Sequence, residues 1–215
     1  MPHYQFPCNY VYWQDVENHE DFKKKYMSIF DDIEKCHKNS DSYEKNTFIN
    51  CNLEYSSIRL QENYKHFLNE QDIKHIIWNP IDNFIKEINS KYAFKIDVEE
   101  SIIHCYWFNT YNKGDYQEYH EHNDHPRYSS KYPIFSGIYI INDDNEKSSI
   151  VFKTPSFSPL PFVANSLHGH VFDTSDVDDI KEGTVIIFPS QLEHMVKACV
   201  KPGRRTIAFN VFSKL

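Results

Sequence analysis

The second half of the chain is a series of short apolar runs between tight turns, and this constrains the fold more than any other feature. The runs cover residues 101–111, 133–142, 149–153, 183–188, 194–199 and 205–212. Most are rich in Ile, Val, Phe and Tyr. Asn112-Lys113-Gly114, Asn142-Asp143-Asp144-Asn145 and Lys201-Pro202-Gly203 supply turn chemistry between them. Short strands joined this way predict a sandwich or jelly roll. An aromatic content of 16% points the same way, because aromatic side chains fit strands better than helices. Before residue 98 the period changes. Phe22, Tyr26, Ile29, Phe30 and Ile33 fall at helical spacing within about 18–38. Phe67, Ile73, Ile76, Ile77, Phe84, Ile85 and Ile88 do so within about 62–92. Pro80 marks a break or a fresh helix start near Asn79. The expectation is a mainly β fold with N-terminal helices, in one domain over 1–215. Residues 1–97 would form a helix-rich support and 98–215 the β core.

With 215 residues, 40% of them hydrophobic, the chain is long enough to bury a sizeable core. A net charge of −8 argues against general nucleic-acid binding, which needs a basic face. Cys8, Cys36, Cys51, Cys105 and Cys199 are odd in number and scattered, and none forms a CxxC pair. They read as reduced thiols in a cytoplasmic protein, in the host cytoplasm if the source is viral. No leader and no bilayer-length apolar run is seen, so no membrane association is expected. The stretch 155–182, with Asp173, Asp176, Asp178 and Asp179, reads as a long acidic loop, either a lid or a solvated surface.

The chemistry concentrates in the β half. His120 and His122 are two apart, so a strand would put them on one face. His194 follows the apolar run Thr184-Val185-Ile186-Ile187-Phe188-Pro189. Imidazoles contributed by neighbouring strands at a barrel mouth suit a metal with open positions, and imidazole with carboxylate suits Fe(II). Arg204 and Thr206 share a strand face, and an Arg fork with a hydroxyl beside it suits a carboxylate ligand. Arg204 approaches the metal if its strand forms a hairpin with that of His194. Each element also has a plain reading. With 12 His in the chain, a His pair can be incidental. His194 can be a packed core residue, and Arg204 can belong to a basic turn with Lys201 and Arg205. A second pair, His168 and His170, lies in the long loop, where ligands are poorly preorganised.

At these residues the chain resembles the small prolyl-4-hydroxylase-like group of 2-oxoglutarate/Fe(II)-dependent oxygenases found in cyanophages and marine bacteria. The blocks that carry the resemblance are Trp107–His122, Ser136-Gly137-Ile138-Tyr139-Ile140, Gly183–Val196 and Arg204–Val211. They lie in the C-terminal half; the N-terminal half matches only loosely. The resemblance implies a double-stranded β-helix, a cupin-like barrel packed by helices. It implies Fe(II) at His120, His122 and His194, and 2-oxoglutarate held by Arg204 and Thr206. Asn109, Tyr111 and Tyr139 are candidate pocket residues, and Trp107 reads more simply as core. O2 would be the second co-substrate and ascorbate a candidate accessory reductant. The substrate would be a peptidyl, prolyl-like group or a small molecule.

One position departs from the wider superfamily, which carries His-x-Asp or His-x-Glu where this chain has His120-Glu121-His122. Residues 120, 122 and 124 share a strand face, so Asp124 is the alternative ligand; counting from Gly114 favours His122. Two rival readings remain. A three-His cupin dioxygenase would not use 2-oxoglutarate, although the Glu and Gly of the cupin motifs are missing here. A non-catalytic jelly-roll module would bind no metal. The N-terminal helices would either cap the barrel or form a homodimer interface.

Overall fold

The computed structural model describes residues 10–40, 51–59, 67–91, 96, 106–122, 133–143, 149–153 and 171–212. Helix α1 spans His19–Lys38. It begins after Asn18, which takes the left-handed conformation (φ 59°) that Asn tolerates better than most residues. The Asn18 carbonyl accepts the N–H groups of Asp21 and Phe22. Glu20 and Asp21 lie in the first turn and Lys35, His37 and Lys38 in the last, each the charge that complements the helix dipole there. Phe22, Tyr26 and Phe30, four apart, are its buried stripe.

The second helical region is a composite. Helix α2 covers Glu70–Ile73, with the Asn69 side chain accepting the Asp72 N–H. A π-helical turn, Lys74–Trp78, leads into helix α3, Asn79–Lys91. The Asn79 N–H donates to the Lys74 carbonyl, five residues back. Pro80 has no N–H for the usual bond, and the widened turn accommodates its ring. The helical start expected near 62 is found at Glu70; residues 60–66 are outside the described set.

The β strands are β1 Tyr12–Asp15, β2 Cys51–Asn52, β3 Tyr55–Ser56, β4 Tyr106–Tyr111, β5 Tyr116–His120, β6 Pro133–Asn142, β7 Ile150–Lys153, β8 Val171–Asp173, β9 Thr184–Pro189, β10 His194–Val196 and β11 Arg204–Phe212. They form two sheets, ordered β1-β9-β6-β11-β4-β3 and β2-β5-β10-β7-β8. Every pairing is antiparallel. This is the jelly roll that the strand pattern predicts. The expected loop 155–182 is in part structured, because β8 and a 3-10 turn at Thr174–Asp176 lie within it. Asp173 caps that turn and pairs with Lys197. His168 and His170 lie outside the described residues.

The large sheet has two buried faces. One packs Tyr106, Phe108, Val185, Ile187, Ile207 and Phe209 against the helices. The other packs Ile138, Ile140, Ile186, Phe188 and Ala208 toward the small sheet. Period-two alternation along each strand sorts the residues between these faces. Gly137 lies directly opposite Phe209, and a Cβ there would sit 2.1 Å from the Phe209 ring, so only glycine fits. Among the described residues, no helix is long and apolar enough to cross a membrane.

Candidate active site

The three histidines meet between the sheets. β10 lies beside β5 with His194 directly opposite His120. The register slips by one residue in β5, so that Val196 opposes Gln117. This irregularity keeps both Gln117 and His120 inside, where strict alternation would separate them. His122 follows the end of β5, and its N–H donates to the Ser190 carbonyl at 2.8 Å. Ring centroids are 4.3 Å apart for His120 and His194, 5.1 Å for His122 and His194, and 5.5 Å for His120 and His122. One ring nitrogen from each lies within 4.8 Å of the others.

The hydrogen bonds define which nitrogen carries a proton. Nδ1 of His120 lies 2.8 Å from the Glu118 carbonyl oxygen, and Nδ1 of His194 lies 2.9 Å from that of Leu192. Nδ1 of His122 lies 2.8 Å from Asn210 Oδ1. Carbonyl oxygens only accept, so each Nδ1 carries a proton, and in a neutral ring Nε2 then keeps its lone pair. Burial, and then the nearby His120, lower the pKa of His122 to about 4. The same causes, with His122 added, hold His194 well below its ordinary value. Both rings are therefore neutral near pH 7, the state a metal ligand requires.

Arg204 is the largest fully buried side chain among the described residues, 1% exposed. Among the described residues, its Nε and one terminal nitrogen have no hydrogen-bond partner. Tyr111 lies opposite it on β4 and Asn109 opposite Thr206. The Arg204 guanidinium carbon is 5.4 Å from the Tyr111 ring centre. The Tyr111 hydroxyl donates to Gln117 at 2.8 Å, and burial pushes its pKa up to about 12. The Asn109 Oδ1 accepts from Ser56 at 2.6 Å.

Arg204, Thr206 and Asn210 alternate along β11 on one face, and the bond from Asn210 to His122 turns that face toward the histidines. The expected hairpin between the strands of His194 and Arg204 is absent. β10 belongs to the small sheet and β11 to the large one, and the two confront each other across the interior.

Tyr139 does not join this group. It packs on the helix side, where its hydroxyl meets His19 Nδ1 at 2.7 Å. Trp107 lies nearer the histidines than a core role requires, 5.9 Å from His122 ring to ring. Asp124 is outside the described residues. Asn210, Gln117 and Phe188 (4.6 Å from His194, ring to ring) belong to the site without having been expected there. Asn210 did leave a signal: it is a polar residue in an apolar strand, in phase with Arg204 and Thr206.

Residues 105–210 match the family described as putative 2OG-Fe(II) oxygenase. Over that segment the chain is similar to the 2-oxoglutarate/Fe(II) oxygenases. The family description implies Fe(II) and 2-oxoglutarate. The fold is similar to that of a prolyl-4-hydroxylase from Pseudomonas putida, at 12% identity and TM-score 0.51, covering 95% of this chain and 92% of that one. It is also similar to a prolyl hydroxylase from Trichoplax adhaerens, solved with a fragment of hypoxia inducible factor. There the identity is 12% and the TM-score 0.51, covering 94% of this chain and 83% of that one. No curated protein matches. The oxygenase match covers every candidate site residue named above, from Trp107 to Asn210.

Proposed function

We propose that this oxygenase is a hydroxylase that holds Fe(II) with His120, His122 and His194, binds 2-oxoglutarate through Arg204 and Thr206, and acts on a peptidyl, prolyl-like group or a small molecule. The observation that carries the reading is Arg204. A buried guanidinium with two nitrogens unpartnered among the described residues is costly unless a ligand completes it. A carboxylate is the complement its fork accepts. The residues fit the metal as well, since three imidazoles gathered within ligand distance of one another are each pinned at Nδ1.

Iron and 2-oxoglutarate supply the oxidising chemistry, in which 2-oxoglutarate and O2 are consumed, succinate and CO2 leave, and an oxygen atom enters a substrate C–H bond. The chain supplies position and exclusion of water. Arg204 orients a carboxylate and Thr206 offers a hydroxyl beside it. Tyr111 and the apolar wall of Ile138, Ile140, Ile186 and Phe188 keep the surroundings dry. Three neutral ligands leave the site one unit more positive than two His and a carboxylate would, and a dianionic co-substrate offsets this. Ascorbate would serve as accessory reductant. The peptide reading draws on the Trichoplax neighbour, solved with a peptide fragment.

We read residues 1–97 as a support for a catalytic core over 98–215, within one domain and in the cytoplasm. The contacts of α1 with β4, β6 and β11 favour this.

The test is an anoxic titration of Fe(II)-loaded protein with 2-oxoglutarate, read by the visible metal-to-ligand charge-transfer band. A band that saturates near stoichiometry, and is lost in Arg204→Ala, is expected. Bound iron with no band would favour a three-His dioxygenase that does without 2-oxoglutarate. Absence of iron binding would favour a non-catalytic module.

A further inference from the structure

His122 is the ligand position at which this chain departs from the superfamily it resembles, and its Nδ1 is held by a side chain. His120 and His194 are pinned by backbone carbonyls of nearby residues. His122 is pinned by Asn210, 88 residues away on β11. A backbone carbonyl can only accept. An amide can present either its oxygen or its nitrogen, so something must set its orientation.

Two buried hydroxyls do this. Ser136 Oγ donates to the same Asn210 Oδ1 at 2.8 Å. Ser190 Oγ lies 2.9 Å from Ser136 Oγ. Ser136 spends its only proton on Asn210, so Ser190 is the donor to Ser136. Both serines are 0% exposed, and water does not compete for them. The relay runs from Ser190 to Ser136 to the amide oxygen, which also accepts from the His122 ring. It closes on itself, because the Ser190 carbonyl accepts the His122 backbone N–H at 2.8 Å. His122 is thus fixed at its main chain and at its ring by one local network.

We propose that Asn210 is a positioning residue for the metal centre. It selects the Nδ1–H tautomer of His122 and leaves Nε2 unprotonated toward the other two imidazoles, while Ser136 and Ser190 lock its amide. The inference rests on the proposed function for its metal, but the tautomer is a property of the metal-free protein. It also gives a physical reason for histidine at position 122. A carboxylate there would need a donor from residue 210, and the relay turns an acceptor toward it.

The experiment has two readouts, neither of which uses 2-oxoglutarate or turnover. The first is long-range proton–nitrogen NMR of metal-free protein with nitrogen-15 histidine. His122 is expected with Nδ1 protonated and Nε2 at the shift of an unprotonated nitrogen; an Nε2–H form in the wild type overturns the proposal. The second is Co(II) affinity by competition with a chelator. Asn210→Leu is expected to weaken Co(II) by about 10- to 100-fold, the usual effect of losing such a partner. Asn210→Asp, which keeps the acceptor, should restore Nδ1–H and bring affinity back to within a few-fold of wild type. Ser136→Ala should show a smaller loss of the same sign. Wild-type affinity in Asn210→Leu, or an Asn210→Asp variant as weak as Asn210→Leu, overturns it. Should the wild type bind no Co(II) at all, the oxygenase reading fails, and the tautomer spectrum still decides the role of Asn210.

Discussion

Arg204 and Arg205 are consecutive on β11 and both buried, yet they face opposite settings. Arg205 points to the helices. It donates to the Met27 carbonyl at 3.1 Å and to Asp31, and lies 3.7 Å from Glu34. Glu34 in turn accepts from Thr110 and Lys38. Arg204 points between the sheets, where two of its nitrogens have no partner among the described residues. On the helix side the charge is matched by the protein itself, as a docking contact requires. On the other side no matching group is found among the described residues. A charge that folding leaves unmatched is evidence for a ligand, whereas a matched one is evidence only for structure.

The largest effect expected is on the metal. Replacing His120 and His194 together by Ala should abolish Co(II) or Fe(II) binding, measured by metal analysis after dialysis. The helix side is untouched, so circular dichroism should still report a folded protein. Unchanged metal content in that variant would break the assignment of the inner face as a metal centre.

Arg204→Met comes next. It should weaken 2-oxoglutarate by about 3 kcal/mol, roughly 100-fold, the scale for truncating one partner of a buried charge pair. Without ligand, its unfolding midpoint should hold or rise, because an unpaired buried charge has been removed. Arg205→Met should do the reverse. Its affinity for 2-oxoglutarate should stay within a few-fold. Stability should fall by about 2 kcal/mol, below the full range for a buried pair because Asp31 is 66% exposed at its side chain. Urea unfolding beside ligand titration separates the two. If both variants lost stability and neither lost affinity, the contrast between the faces would collapse.

Much of this was legible in the sequence because it depends on period. The strand 133–142 is found with the bounds expected, and α1 starts within a residue of them. His120, His122 and His194, the set that the resemblance named, lie close together. What was not legible depends on register and on the third dimension. The slip in β5 that keeps Gln117 and His120 on one side leaves no mark in composition. Alternation says that Tyr139 and Ile140 face opposite ways but not which one faces the pocket. The choice is made by α1, whose His19 takes the Tyr139 hydroxyl. Asn210 could be phased with Arg204, yet its partner lies 88 residues away and no local rule reaches that far. The π-helical turn before Pro80 shows the converse case, where a single residue type announces a local break.

The smallest effect tests the matched side by acid. Glu182 accepts from Lys23 at 2.5 Å and from the Asp143 N–H at 2.8 Å, and lies 3.3 Å from His19 Nε2. Burial pushes its pKa up, but Lys23, the Asp143 N–H and His19 outweigh burial and hold it below the ordinary 4.5. The unfolded chain therefore binds the proton more tightly than the folded one. The contribution of Glu182 is fully present above 4.5 and is lost as pH falls through the folded value. A partly exposed pair of this kind is worth under about 1 kcal/mol. Urea midpoints taken from neutral pH downward should fall less steeply below 4.5 in Glu182→Gln than in wild type. Affinity for 2-oxoglutarate at neutral pH should be the same in both, because Glu182 is tied through His19 to Tyr139 on the helix side of the sheet and not to Arg204. A matching acid slope in the two proteins would mean that Glu182 is not held ionised by folding, and the helix side would then be less completely paired than Arg205 implies.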